Sequence, residues 1–306
     1  KPDCVIENRT LQNLYEAPLM LEESGFSDVV CRELHIDAPK PNLEEWKQMV
    51  DRIRNRSEEV HIGLVGKYVK LHDAYLSVAE AMDHAGYELN TFVKINWIDS
   101  ENITKENVND ILKGLDGIII PGGFGNRGVE GMILSAKYAR ENQIPYFGIC
   151  LGMQIAVIEF ARNVLKIEDA HSGEFDEQCT HKVINFMPGQ SERRDKGGTL
   201  RLGSYPCSIK AGTKIEKCYG DKLIHERHRH RYEFNNEYRE PLVRAGLVIS
   251  GTSPDDRLVE TIELKEHPFF LGVQFHPEFK SRPNQSHPLF KEFISTSCKE
   301  SKRKER

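Results

Sequence analysis

The chain has 306 residues and a formal net charge of −5, room for one large domain, or one domain plus an extension, with a buried core of its own. The mildly acidic balance gives no ground for a nucleic-acid or anionic-membrane partner. No apolar run reaches the roughly 18 residues of a membrane span, and no signal-peptide pattern is present. Seven widely spaced cysteines without C-x-x-C argue against a disulfide framework or a zinc site and fit a reducing cytoplasm.

Residues 1–58 are interrupted by Pro2, Pro18, Pro39 and Pro41. Short periodic pieces survive at Leu11–Glu23 and Leu43–Asn55. The second predicts a helix, with Asn42 as N-cap and Glu44 and Glu45 in its first turn. This stretch is too irregular for its own core and reads as the end of another domain plus a linker. The chain opens on Lys1 within ordinary-looking sequence, so a piece of a longer protein is expected.

From His61 the pattern changes. His61–Tyr68, Phe92–Ile98, Gly117–Ile120 and Ile144–Ile149 predict strands. Asp73–Ala85, Lys105–Gly114, Glu130–Asn142 and Leu151–Val164 predict the helices that alternate with them. This alternation predicts an α/β fold, a mainly parallel central sheet with helices on both faces. Ligands in such sheets sit at the carboxyl ends of the strands. Residues 170–235 are polar with few clear periods, and Ser191–Gly198 reads as a mobile loop. Leu258–Leu264 and Phe269–Phe275 predict paired strands turning at Glu266–Pro268. Pro288–Cys298 predicts a closing helix, followed by a charged, frayed tail at 299–306.

Gly148-Ile149-Cys150-Leu151-Gly152 has the form G-x-C-x-G at a strand-to-helix junction, a nucleophile elbow carrying sulfur. A free thiol is ordinarily a buried core residue, and the other six cysteines are read that way. At Cys150 two flanking glycines would allow a sharp turn, and a helix beginning behind the thiol favours its thiolate. His276-Pro277-Glu278 follows an apolar run. A histidine with a carboxylate two residues on suits an oriented general base. The triplet is weak alone, but beside a cysteine elbow it fits a thiol acyl-transfer enzyme. Pro121-Gly122-Gly123-Phe124-Gly125 closes another strand. Its amides, with that of Leu151, could hold an oxyanion, although taken alone the glycines read better as a plain turn. His225–Tyr232 (HERHRHRY) could be read as metal-binding or as a basic patch. Without a third ligand nearby, a strand lining the site with Arg231 inward is preferred, and no metal is expected.

Taken together, PGGFG at 121–125, GICLGMQ at 148–154 and HPEF at 276–279 resemble the class I glutamine amidotransferase family. VGKY at 65–68, GGFGNRGVEGM at 122–132, ERHRHRYEFN at 226–235 and HPFFLGVQFHPEF at 267–279 narrow the resemblance to the branch that aminates UTP to CTP. It spans about 59–298, and YEAP at 15–18 and LEEW at 43–46 resemble the tail of that branch's synthetase domain. The resemblance implies a triad of Cys150, His276 and Glu278, and an oxyanion site at Gly123 and Leu151. It implies glutamine held by Gly122, Phe124, Gln154, Glu174 and Arg231, and a GTP effector near Arg127 and Glu130, with Arg193 or Arg194 as further candidates. It implies no cofactor in this chain. ATP and Mg act with UTP in the synthetase domain, and the full-length enzyme is a cytoplasmic homotetramer. No G-x-x-x-x-G-K-[ST] occurs; Gly63–Lys67 has the wrong spacing. A free-standing γ-glutamyl hydrolase and a non-catalytic assembly module stand as alternatives.

Overall fold

A computed structural model describes residues 1–186 and 200–304. The Ser191–Gly198 segment, with Arg193 and Arg194, lies outside the described residues. The chain divides into two compact units, Lys1–Glu58 and Glu59–Arg306.

The first unit holds α1 (Ala17–Glu23), α2 (Phe26–Leu34) and α3 (Glu44–Arg54). The N-cap of α3 is Leu43, not Asn42; the Asn42 side chain, one residue earlier, accepts from the amide of Glu44 at 3.1 Å and so still satisfies one of the free donors at the start of the helix. Trp46 of α3 donates its indole N–H to the Tyr15 carbonyl at 2.7 Å. The helix α2 was not expected from the sequence.

The second unit contains β1 (Glu58–Gly66), α4 (Leu76–Glu88), β2 (Thr91–Asp99), α5 (Val108–Leu112), β3 (Gly117–Ile120), α6 (Val129–Glu141), β4 (Tyr146–Ile149) and α7 (Leu151–Asn163). These fall where the periodicity placed them, with ends shifted by a few residues. Beyond them come β5 (His171–Ser172), β6 (Lys182–Phe186), β7 (Arg201–Ile209), α8 (Lys214–Tyr219), β8 (Leu223–His230) and β9 (Tyr232–Phe234). The chain continues through α9 (Arg239–Arg244), β10 (Leu247–Thr252), β11 (Val259–Leu264), β12 (Phe270–Val273) and α10 (Pro288–Lys304). α10 runs on past Cys298, where the sequence expected a frayed tail. None of the described helices is long and apolar enough to cross a membrane.

Nine strands form the central sheet in the order β2-β1-β3-β4-β12-β11-β10-β7-β8, and β5-β6-β9 form a small second sheet. From β1 through β3 and β4 to β12 the pairing is parallel. From β12 through β11, β10 and β7 to β8 it is antiparallel. The parallel strands alternate between two apolar layers. Ile118, Ile120 and Tyr146 face a cluster with Leu112, Met132, Ala136, Ile155 and Phe160 of α5, α6 and α7. Ile119, Phe147 and Ile149 face Val78, Met82, Phe290 and Phe293 of α4 and α10. Each such fully buried side chain contributes about 1.5–3 kcal/mol over its exposed state, so the layers hold the strand register firmly. That register pairs Gly148 with Ile120 of β3 and with Gly272 of β12, and Ile149 with Val273. The segments leaving β3, β4 and β12 therefore emerge side by side.

Candidate active site

Cys150 follows β4 and stands at the N-cap of α7, with φ 53° and ψ −99°. A side-chain-bearing residue in that region costs on the order of 1–3 kcal/mol and persists only when its surroundings over-determine it. They do so here. The Cys150 amide donates to the Val273 carbonyl at 2.7 Å, and its own carbonyl accepts from the Gln154 amide at 3.3 Å. The flanking glycines serve space rather than dihedral freedom, since neither has a positive φ. A Cβ on Gly152 would lie 2.1 Å from the Ile120 carbonyl oxygen, and one on Gly148 would lie 2.6 Å from backbone atoms of Gly152. Helix α7 thus starts in direct contact with the sheet and turns the strained residue outward.

The chain leaving β12 brings His276 and Glu278 to the same place. His276 Nδ1 and Glu278 Oε1 are 2.7 Å apart, and both side chains are buried. Burial depresses the imidazolium of His276, but the adjoining Cys150 sulfur and the Glu278 carboxylate, by charge and hydrogen bonding, reverse this and raise its pKa to about 10. At neutral pH the arrangement is a protonated imidazole between a sulfur and a carboxylate.

Two cavities meet at Cys150. The first, about 210 Å³, is lined by Gly123, Phe124, Cys150, Leu151, Gln154, Glu174, Leu200, Arg229, His230, Arg231 and Tyr232. The second, about 290 Å³, includes Tyr68, Tyr75, Gly122, Gly123, Cys150, His276, Glu278 and Phe279. Of the residues expected to hold substrate, Phe124, Gln154, Glu174 and Arg231 line the first. Gly122 does not; it lies on the His276 side, where an added Cβ would come 2.9 Å from the imidazole Cε1. Gly123 and Leu151 both border the first cavity beside the sulfur.

Glu174 and Arg231 place opposite charges in one cavity. Burial raises the pKa of Glu174, against the lowering effects of the Gly125 amide and the charges of Lys67 and Arg231. Its Oε1 accepts from Gly125 N–H at 3.0 Å. Lys67, just beyond β1, donates to the carbonyl of Phe124 at 3.1 Å and to that of Gly125. Burial lowers its pKa to about 8. The loop 121–125 is therefore clamped by a carboxylate on its N–H side and an ammonium on its carbonyl side. Arg127 and Glu130 border neither cavity. Arg127 donates to the Lys67 carbonyl at 2.6 Å and pairs with Glu101; Glu130 is engaged by Arg162 at 2.9 Å.

Behind the first cavity lies a buried polar layer. Arg201 of β7 pairs with Glu260 of β11 at 2.5 Å and lies 3.8 Å from Glu233 of β9. His228 Nδ1 and His230 Nε2 of β8 are 2.9 Å apart. Burial, with the Arg201 charge, pushes His228 down to about 2 and His230 to about 3, so both are neutral. Burial raises Glu260 to about 7 and Glu233 well above the carboxylate range. Lys67, Glu233 and Gln274 fall inside the quoted motifs without a role being given to them, and Arg201 and Glu260 fall in none. Gln274 lies just beyond β12 and Glu278 in a short 3-10 helix, Pro277–Lys280, so no single periodicity joined them to His276.

Residues 70–296 match the family described as glutamine amidotransferase class-I. The chain belongs to the class-I glutamine amidotransferase family. Within it, the chain is 58% identical to the CTP synthase of Carboxydothermus hydrogenoformans, over 98% of this chain and 56% of that protein. It is 57% identical to the CTP synthase of Clostridium kluyveri, over 96% of this chain and 55% of that one. It thus spans about half the length of the curated relatives it matches. Among solved structures it resembles the glutaminase domain of Trypanosoma brucei CTPS with bound acivicin. That similarity has a TM-score of 0.74 and 41% identity, and covers 78% of this chain and 94% of that one.

Proposed function

We propose that this chain hydrolyses the side-chain amide of glutamine, with Cys150 as nucleophile, His276 as acid and base, and Glu278 as the group that orients the imidazole. The observation that carries the reading is a sulfur on a strained elbow beside an imidazolium buttressed by a buried carboxylate. It opens on a cavity that also holds a carboxylate and a guanidinium. A free amino acid needs both: Glu174 for its ammonium and Arg231 for its carboxylate. Phe124 and Gln154 line the same cavity.

The thiolate attacks the amide carbon, and the carbonyl π electrons move to oxygen. The N–H groups of Gly123 and Leu151 receive that oxyanion, each worth about 3 kcal/mol in a preorganised site. His276 gives its proton to the departing nitrogen, so ammonia leaves and a thioester remains. The neutral imidazole then takes a proton from water as hydroxide adds to the thioester, and glutamate leaves as the thiolate is restored. Gly122 serves by leaving room for the imidazole.

In the longer enzyme the ammonia serves the ATP- and Mg-dependent amination of UTP to CTP, in a cytoplasmic homotetramer. GTP acts as effector near Arg127 and Glu130. The bond from Arg127 to the Lys67 carbonyl, and from the Lys67 ammonium to Phe124, supplies a route to the oxyanion loop. Residues 1–58 are the end of the synthetase part and a linker; the ATP site is not in this chain. The chain alone therefore releases glutamate from glutamine and makes no CTP. Cys150→Ala is expected to lower glutamate release by about 1,000-fold or more; undiminished release would remove Cys150 as nucleophile.

A further inference from the structure

The Cys150 sulfur has a neighbour that the reaction scheme above does not use. Gln274, fully buried, follows Val273, whose carbonyl binds the Cys150 amide. Its Nε2 lies 3.6 Å from Cys150 Sγ. Its Oε1 accepts from Gln154 Nε2 at 3.2 Å, and Gln154 Nε2 also donates to the Tyr232 carbonyl at 3.1 Å.

That chain of contacts settles which end of each amide faces where. A backbone carbonyl can only accept, so the nitrogen of Gln154 must point to Tyr232. Its second hydrogen then needs an acceptor, and the Gln274 oxygen is there. The oxygen of Gln274 being so committed, its nitrogen is the end left facing the sulfur. A buried amide N–H beside a buried sulfur stabilises the anion far more than the neutral thiol, which needs no second donor.

We propose that Gln274 donates a hydrogen bond to the Cys150 thiolate, and that it couples this bond to the substrate-lining Gln154. The inference rests on the proposed role of Cys150 as nucleophile. Two substitutions separate a donor role from a merely structural one. Gln274→Met keeps the volume but removes both the donor and the acceptor for Gln154. Gln274→Glu keeps the acceptor for Gln154 but puts a second acid beside the sulfur, competing for one negative charge.

The experiment follows alkylation of Cys150 by iodoacetamide across pH, with the Cys150 peptide quantified by mass spectrometry, alongside kcat and KM for glutamine. In both variants the pH midpoint of Cys150 alkylation is expected to rise by about one unit, and kcat at neutral pH to fall about tenfold. KM is expected to rise in Gln274→Met, where Gln154 loses its acceptor, and to stay near the parent value in Gln274→Glu. Parent-like alkylation midpoints in both variants, or full recovery of kcat in Gln274→Glu, would overturn the donor role while leaving the nucleophile assignment standing. A Cys150→Ala chain that still turns over glutamine would overturn both.

Discussion

The two halves of the central sheet are held together by different chemistry. Between β1 and β12 the strands are parallel, and both faces are packed with aliphatic and aromatic side chains such as Ile118, Ile119 and Phe147. In the antiparallel half, β7, β8 and β11 bury Arg201, Glu226, His228, His230 and Glu260. The apolar half sets strand register, and with it the meeting of Cys150 and His276. The polar half supports the substrate side: His230 lies within the buried layer and also lines the cavity of Glu174 and Arg231. An apolar layer tolerates imprecise contacts, whereas a buried ionic layer depends on every partner being present.

The comparison can be broken first at the elbow. Gly152→Ala sets a Cβ against the backbone of Ile120, which cannot swing away. Glutamate release is expected to fall at least 100-fold, and the urea midpoint to drop by the equivalent of about 3 kcal/mol. Next, Phe147→Ala and Arg201→Met test whether the two layers matter equally. Each is expected to cost about 3–5 kcal/mol in chemical denaturation, the first through a cavity, the second because buried Glu260 loses the guanidinium it is paired with. A cost below about 1 kcal/mol for Arg201→Met would reduce the polar layer to decoration. Glu174→Gln should raise KM for glutamine about tenfold with little change in kcat, since it weakens ground-state and transition-state binding alike.

The smallest effect concerns pH. Glu260 has a folded pKa of about 7, raised from its ordinary 4.5 mainly by burial. Its contribution to stability is fully present below the unfolded value and is lost as pH rises through the folded one. Relative to Glu260→Gln, the parent is therefore expected to gain stability as pH falls from about 7 to 4.5. Urea midpoints measured at several pH values check the sign; a constant gap would mean that Glu260 does not titrate in this window.

The strands and helices from His61 to Val164 were legible because their burial is apolar, and apolar burial writes a period into the chain. The motif HERHRHRY predicted one strand over 225–232; the structure ends β8 at His230 and starts β9 at Tyr232, with Arg231 between them, and β8 buries Glu226, His228 and His230 where an apolar period would be sought. β7, within the polar stretch 170–235, and β10, beyond it, were missed. The elbow and the H-P-E triplet stood out because each is a local pattern. Gly122 was placed with the substrate residues by the family resemblance of its backbone; the structure sets it in the cavity of His276, where an added Cβ would meet the imidazole.

Sequence alone determined the α/β alternation, the positions of the thiol, the imidazole and the glycine-rich loop, and the family resemblance. Each is carried by neighbours within a few residues. Tertiary structure decided what no local pattern contains: the strained φ of Cys150, the buried polar layer joining positions 201, 233 and 260, and the Gln154–Gln274–sulfur chain. These arise from parallel register and sheet order, which bring together groups 59 residues apart in Arg201 and Glu260, and 124 apart in Cys150 and Gln274. The charge state of such groups follows from who faces them after folding, because desolvation and pairing act only once the chain has closed around them.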